Sequence, residues 1–327
     1  MRDTYRRLPR RLAIPALMVA ALAACQPQPS APAGNAPSTR TATLTAATRP
    51  VDAIHVLRDR LLAHDGLGFA KLAVPPALFA RLEQGWASGD SQWPLDELPL
   101  DARIPKMLAA LQAPNADAAL MTTFRRQFAG ADRDIDQAIR TLALFGGEYV
   151  ATATEYSAEE REHISQAIAA ASAWGLQAPL SDPARAKPFF SALAAAARRT
   201  GIDGSAGAEA YASLGMRQSL NRLSPFFATL LDQLKRQYGL DLDAAMRSAQ
   251  ASLMQQTGDS ARLRLRYTLA GRDIDTVIPV VRIDGHWYLA NYVARAEASL
   301  PAPPPAPAQP PEPAKPAATG ASTAAPP

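Results

Sequence analysis

Apolar positions recur at helical spacing over most of the stretch from residue 50 to residue 260, and after Gly258 they switch to strict alternation. Pro75 and Pro76 open "PPALFARLEQGW", where Leu78, Phe79, Leu82 and Trp86 share one helical face, and proline suits a first turn because its missing N–H has no partner there anyway. Ile104, Met107, Leu108 and Leu111 form a second stripe. Leu120, Phe124 and Phe128 form a third, with Asn115 as N-cap, and Ile135, Ala138, Ile139, Leu142 and Phe145 a fourth, which Gly146 and Gly147 close or kink. In "YSAEEREH", Ser157 and Glu160 have capping-box spacing ahead of Ile164, Ala167, Ile168 and Ala171, and Gly175 supplies the stop. An Ala-rich helix is predicted from Pro183 to Arg199. A longer one runs from Ala208 to Tyr238 with a bend at Pro225, and another starts at Asp241 with Leu242, Ala245, Met246, Ala249 and Leu253 on one face.

In "RLRLRYTL", Leu263, Leu265, Tyr267 and Leu269 alternate with Arg262, Arg264, Arg266 and Thr268, the pattern of a half-buried strand. "AGRD" turns the chain into "IDTVIPVVRI", and Asp284-Gly285 is a hairpin signal before "HWYLANYV". The fold class that follows is mainly α (α+β): a helical bundle-like domain over 50–260, divisible into two lobes near 146–157, with a three-stranded antiparallel meander over 261–299 packed on the helices. The last hairpin, "VRIDGHWYLANY", resembles the closing strands of cone-shaped NTF2-like folds. The resemblance covers some thirty residues, and the long helical portion departs from that family's order of elements, so no site is carried over.

Before residue 50 the pattern is different in kind. Arg2, Arg6, Arg7, Arg10 and Arg11 precede the apolar run "LAIPALMVAALAA" at 12–24, which ends in small residues. This is the layout of a signal peptide over 1–24. The run is too short for a membrane span, which takes about 20 apolar residues. The next residues sharpen the reading: Leu22, Ala23, Ala24 and Cys25 resemble the bacterial lipobox. That resemblance implies that the leader is removed and that Cys25, the sole cysteine, becomes a lipidated N-terminus with three acyl chains (palmitate among the fatty acids). Gln26, in place of aspartate, implies sorting to the outer membrane. Two or more chains anchor stably, because each buried methylene adds about 0.8 kcal/mol. The alternative is an ordinary signal peptide cleaved near Ala24 that leaves a free thiol. The arginine pairs also raise twin-arginine export, but their neighbours depart from that motif.

Charge changes meaning once the leader is set aside. The chain has 34 basic and 30 acidic residues. Discounting the five leader arginines and Asp3 makes the two totals equal, so the high isoelectric point is no argument for nucleic-acid binding. With no cysteine besides Cys25, disulfides and thiolate metal sites within the chain are excluded. Residues 25–49 read as the lipidated cysteine and a flexible linker. Residues 300–327 read as a disordered Pro/Ala-rich tail with a three-residue proline period, either solvated in polyproline II form or a docking ligand.

Candidate chemistry is sparse. The histidines are His55, His64, His163 and His286. "ExxH" at Glu160–His163 and "DAIH" at Asp52–His55 imitate halves of a di-metal helical site, but further carboxylates are needed, and the former reads as a solvated face with Glu159 and Glu162. Asp132, Asp134 and Asp136 imitate a calcium loop whose required glycine and glutamate are Gln137 and Ala143. Ser205 lies among small residues with no base nearby, and Trp86, Trp93, Trp174 and Trp287 suit either a binding surface or the core. These residues point to no catalytic, cofactor or metal site. The expected function is a non-catalytic envelope lipoprotein, a binding or scaffolding module with an envelope protein or cell-wall partner. The alternative is a periplasmic hydrolase of cell-wall or glycan material, whose carboxylates converge only in the fold.

Overall fold

The computed structural model describes residues 45–98 and 103–301; Cys25, the leader, most of the linker and nearly all of the tail lie outside the described residues. The chain is mainly helical and ends in a small antiparallel sheet. Helices α1 (Asp52–Leu62), α2 (Gly66–Ala73) and α3 (Pro76–Ser88) are followed by α4 (Ile104–Gln112), α5 (Ala116–Gln127), α6 (Asp132–Thr152) and α7 (Ala158–Gly175). Then come α8 (Pro183–Thr200), α9 (Glu209–Tyr238) and α10 (Leu242–Ser248), strands β1 (Gln250–Thr257), β2 (Ser260–Leu269), β3 (Arg272–Ile283) and β4 (His286–Leu289), and helix α11 (Ala290–Ala298).

Several starts and stops follow their local chemistry. The capping box of α7 is formed: Glu160 N–H donates to Ser157 Oγ at 3.2 Å, and Ser157 N–H donates to the Glu160 carboxylate at 3.0 Å. Asp241 caps α10 by accepting from Ala244 N–H at 2.8 Å. At the β3–β4 hairpin, Asp284 and Gly285 both take positive φ, 50° and 80°, as a two-residue turn of the twisted type requires. Gly175 ends α7 and also lets it approach α6, since an added Cβ would sit 3.1 Å from Ile139 Cδ1.

Other expectations are corrected. The sheet has four strands in the order β1-β2-β3-β4, not three. Helix α10 stops at Ser248, and Ala249 turns extended (φ −63°, ψ 121°), so Leu253 belongs to an edge strand and not to a helical face. "ANYV" is the start of α11, not the end of a strand. Gly146 and Gly147 lie inside α6. The non-helical residue of α9 is Gly215 (φ 71°, ψ 169°), a conformation open to glycine, while Pro225 stays within the helix. Asn115 precedes α5 but makes no side-chain cap. The α6 stripe is not core: Leu142 is 71 % and Phe145 66 % exposed, and Val150 is the buried residue of that helix.

The sheet positions the site. Ala261, Leu263, Leu265, Tyr267 and Leu269 of β2 all face the helices, while Arg262, Arg264 and Arg266 face solvent. The inner face packs on α1, α2, α7, α10 and α11, and the main core continues from there through α9 into α3 and α8. Strand β4 covers only the far end of β3. Nearer its start, β3 is met by α7 instead: the Gln166 side chain accepts from Asp275 N–H at 2.9 Å and donates to Asp275 C=O at 3.1 Å. A single amide thus occupies both backbone groups of a strand residue, as a neighbouring strand would.

Candidate functional site

Between the inner face of the sheet and the helices lies a cavity of about 110 Å³. Its apolar walls come from Ile54, Leu57 and Leu61 of α1, Phe69 of α2, Ile164 of α7, Met246 of α10 and Leu265, Ile278, Pro279 and Leu289 of the sheet. Polar groups enter from three helices: Arg58, then Glu160 and His163, then Asn291, Tyr292 and Arg295.

The capping box fixes Glu160 at the start of α7, and its carboxylate also pairs with Arg295 of α11. Arg295 reaches Glu97 at 3.4 Å and lies over the Tyr156 ring at 5.8 Å, so this cation is held from three sides. One turn along, His163 is 6 % exposed, and its Nε2 lies 2.9 Å from Tyr267 Oη across a T-shaped ring contact. Burial lowers the imidazole pKa to about 4, so it is neutral at ordinary pH, and burial raises the Tyr267 hydroxyl. Tyr292 packs edge-on against Phe69 at 5.9 Å, and burial raises its hydroxyl to about 12. Neither the Tyr292 hydroxyl nor the Asn291 amide has a hydrogen-bond partner among the described residues. Arg58 spends Nε and one terminal nitrogen on Asp59, at 3.0 and 2.8 Å.

A groove of about 430 Å³ with mixed walls lies elsewhere, lined by His64, Arg199, Asn221, Ser224, Pro225 and Asp232 among others. His64 takes φ 57° and is 8 % exposed, with Nε2 3.3 Å from Asp243 Oδ1. Burial lowers the His64 pKa to about 4 and raises that of Asp243. Ser224 Oγ is engaged, accepting from Gly66 N–H and donating to Leu220 C=O.

No family model, curated protein or solved structure matches the chain. The geometry of these two sites therefore carries the functional argument.

Of the residues singled out in the sequence, the fold brings Glu160 and His163 to one cavity but bonds them to different partners. Asp52 pairs with Arg49 at 2.8 Å, next to the half-buried His55. Asp132 accepts from the buried Ser181 Oγ at 2.5 Å, and Asp136 lies 3.9 Å from Arg140 on the surface of α6. Ser205 donates to Asp203 at 2.6 Å in a capped turn, and His286 lies against the Asp284 carbonyl. Trp86, Trp93 and Trp287 are buried in the core, and Trp174 donates to Tyr238 C=O at 2.7 Å. Among the described residues no group of three or more metal-ligating side chains converges, and no helix is long and apolar enough to cross a membrane.

Sequence reasoning missed Arg58, Tyr267, Asn291, Tyr292 and Arg295. Four of the five, all but Arg58, sat inside the 261–299 stretch expected to be a strand meander, with no local motif to mark them. Only the arginine and tyrosine spacing in "ANYVARAEA", i to i+3, hinted at a helical face.

Proposed function

We propose that the protein is a non-catalytic envelope lipoprotein, tethered through Cys25 to the outer membrane and facing the periplasm, that holds a small ligand in the cavity between its sheet and helices. The tether rests on Leu22-Ala23-Ala24-Cys25 after an apolar leader. The binding role rests on one observation above the others: an apolar cavity into which a few polar side chains converge, the usual composition of a ligand site. The linker holds this module off the lipid surface, where an envelope protein or cell-wall component can deliver or receive the ligand. The test is calorimetric titration of the full chain with toluene. Uptake by the wild type and its loss in Ala249→Leu, which fills the cavity wall, support the reading; no uptake by the wild type refutes it.

A second reading, a hydrolase of cell-wall or glycan material, is favoured by His64 and Asp243. They form a partly buried histidine–acid pair whose histidine lines the mixed-walled groove, so the two groups are within reach of a molecule bound there. Release of soluble fragments from purified cell wall, abolished by Asp243→Asn, supports it, and no release removes it.

A further inference from the structure

We propose that the cavity selects a small apolar molecule bearing a carboxylate, with Tyr292, Asn291 and Arg58 taking the carboxylate while Phe69, Ile278 and Leu289 surround the apolar part. The inference rests on reading the cavity as the ligand site and adds the chemistry of the ligand. It starts from unused hydrogen-bonding capacity. Most polar groups around the cavity are committed: His163 to Tyr267, Glu160 to Ser157 N–H and Arg295, and Arg295 to two glutamates. The Tyr292 hydroxyl, the Asn291 amide and the second terminal nitrogen of Arg58 have no partner among the described residues.

All three offer donors. The phenol keeps its proton, since burial raises it to about 12, and a guanidinium is always charged. The ion pair between Arg58 and Asp59 is at the surface, with the aspartate side chain 53 % exposed, so it holds the guanidinium weakly and leaves it able to turn to a second anion. Donors that line one apolar cavity recognise an acceptor head, and a carboxylate has two oxygens, one to accept from the free terminal nitrogen of Arg58 and one from a hydroxyl or amide. A cationic head fits badly, because the cavity's carboxylate, Glu160, is already occupied. Size sets the other bound. At about 110 Å³ the space is of the same order as the roughly 150 Å³ dry cavity that takes up benzene, so the apolar part is ring-sized.

The probes are benzoate and toluene, which share a ring and differ in the carboxylate, titrated into the full chain and into Tyr292→Phe and Arg58→Gln. Benzoate is expected to bind at least about tenfold more tightly than toluene, since a hydrogen bond to a charged group contributes roughly a factor of ten or more. Each substitution should remove most of that preference while leaving toluene binding and the thermal midpoint close to wild type. Arg58→Gln, on a partly exposed side chain, keeps the test valid if Tyr292→Phe fails to fold. A preference unaffected by either substitution, or benzoate binding no tighter than toluene, overturns the carboxylate assignment and leaves the cavity reading standing. Uptake of neither probe overturns the cavity reading, and this inference with it.

Discussion

Replacing Tyr267 by phenylalanine isolates one buried hydrogen bond. The ring stays, so its burial at 4 % exposure and its edge contact with His163 at 5.9 Å are kept, and only the hydroxyl 2.9 Å from His163 Nε2 is lost. The imidazole, itself 6 % exposed, then has a nitrogen with no partner on that side. Leaving a buried polar group unsatisfied costs about 1–3 kcal/mol. For a folded region of this size, 1 kcal/mol lowers the thermal midpoint by about 2–4 °C, so a loss of about 2 kcal/mol lowers it by about 4–8 °C. His163→Leu should cost a similar amount by stranding the Tyr267 hydroxyl. The double variant removes both polar partners and should cost little more than either single one, giving a coupling of about 1–2 kcal/mol. Thermal and urea unfolding of the full chain by circular dichroism, over the four-protein cycle, measures it. Additive single-variant losses would refute the reasoning, because they would mean that the two groups stabilise the fold independently.

Three further outcomes are expected. Stability should fall as pH drops from 6.5 towards 4: His64 and His163 have folded pKa values lowered from 6.5 to about 4, so the unfolded chain takes up protons in that window while the folded chain does not. Each contributes a loss of up to roughly 3 kcal/mol by pH 4, partly offset by Asp243, whose raised carboxyl works in the opposite direction, and urea midpoints flat across this range would contradict it. Gly204→Ala should destabilise by about 1–3 kcal/mol or more, because its Cβ would lie 2.4 Å from Ala109 N and 2.7 Å from Pro105 O, backbone atoms of α4 that cannot swing aside; a thermal midpoint equal to wild type would show that the turn relaxes freely. Cys25→Ala should abolish acyl labelling and release the protein from membranes, and unchanged fractionation would remove the lipid tether.

The fold was legible where one residue's chemistry decides a local event. Ser157 and Glu160 announce a helix start, the arginines of β2 announce a two-faced strand, and Asp284-Gly285 announces a turn, each through interactions within a few residues. Legibility failed where a distant partner decides. Leu253 fits the helical spacing from Leu242, yet pairing with Leu263 draws it into an edge strand whose residues are nearly all exposed and so carry no alternation. Leu142 and Phe145 have the spacing of a core face, but nothing among the described residues packs over them. The cavity was the least legible feature, because its lining runs from Ile54 to Arg295 and no window of sequence contains more than a fragment of it.

That spread has a consequence for how the chain matures. Helices α1 and α11 both line the cavity, and the segment before α1 is tied down by Trp287 N–H donating to Ala47 C=O at 2.9 Å. The wall from α1 therefore waits for one made far downstream in the chain. Until residues 286–298 arrive, Phe69 lacks the Tyr292 ring that packs edge-on against it, and closing a loop of this length is the slow kind of contact to form. A chain cut short before α11 lacks Asn291, Tyr292 and Arg295 of the cavity lining. The cavity is thus a long-range product, complete only when residues far apart in the chain have come together.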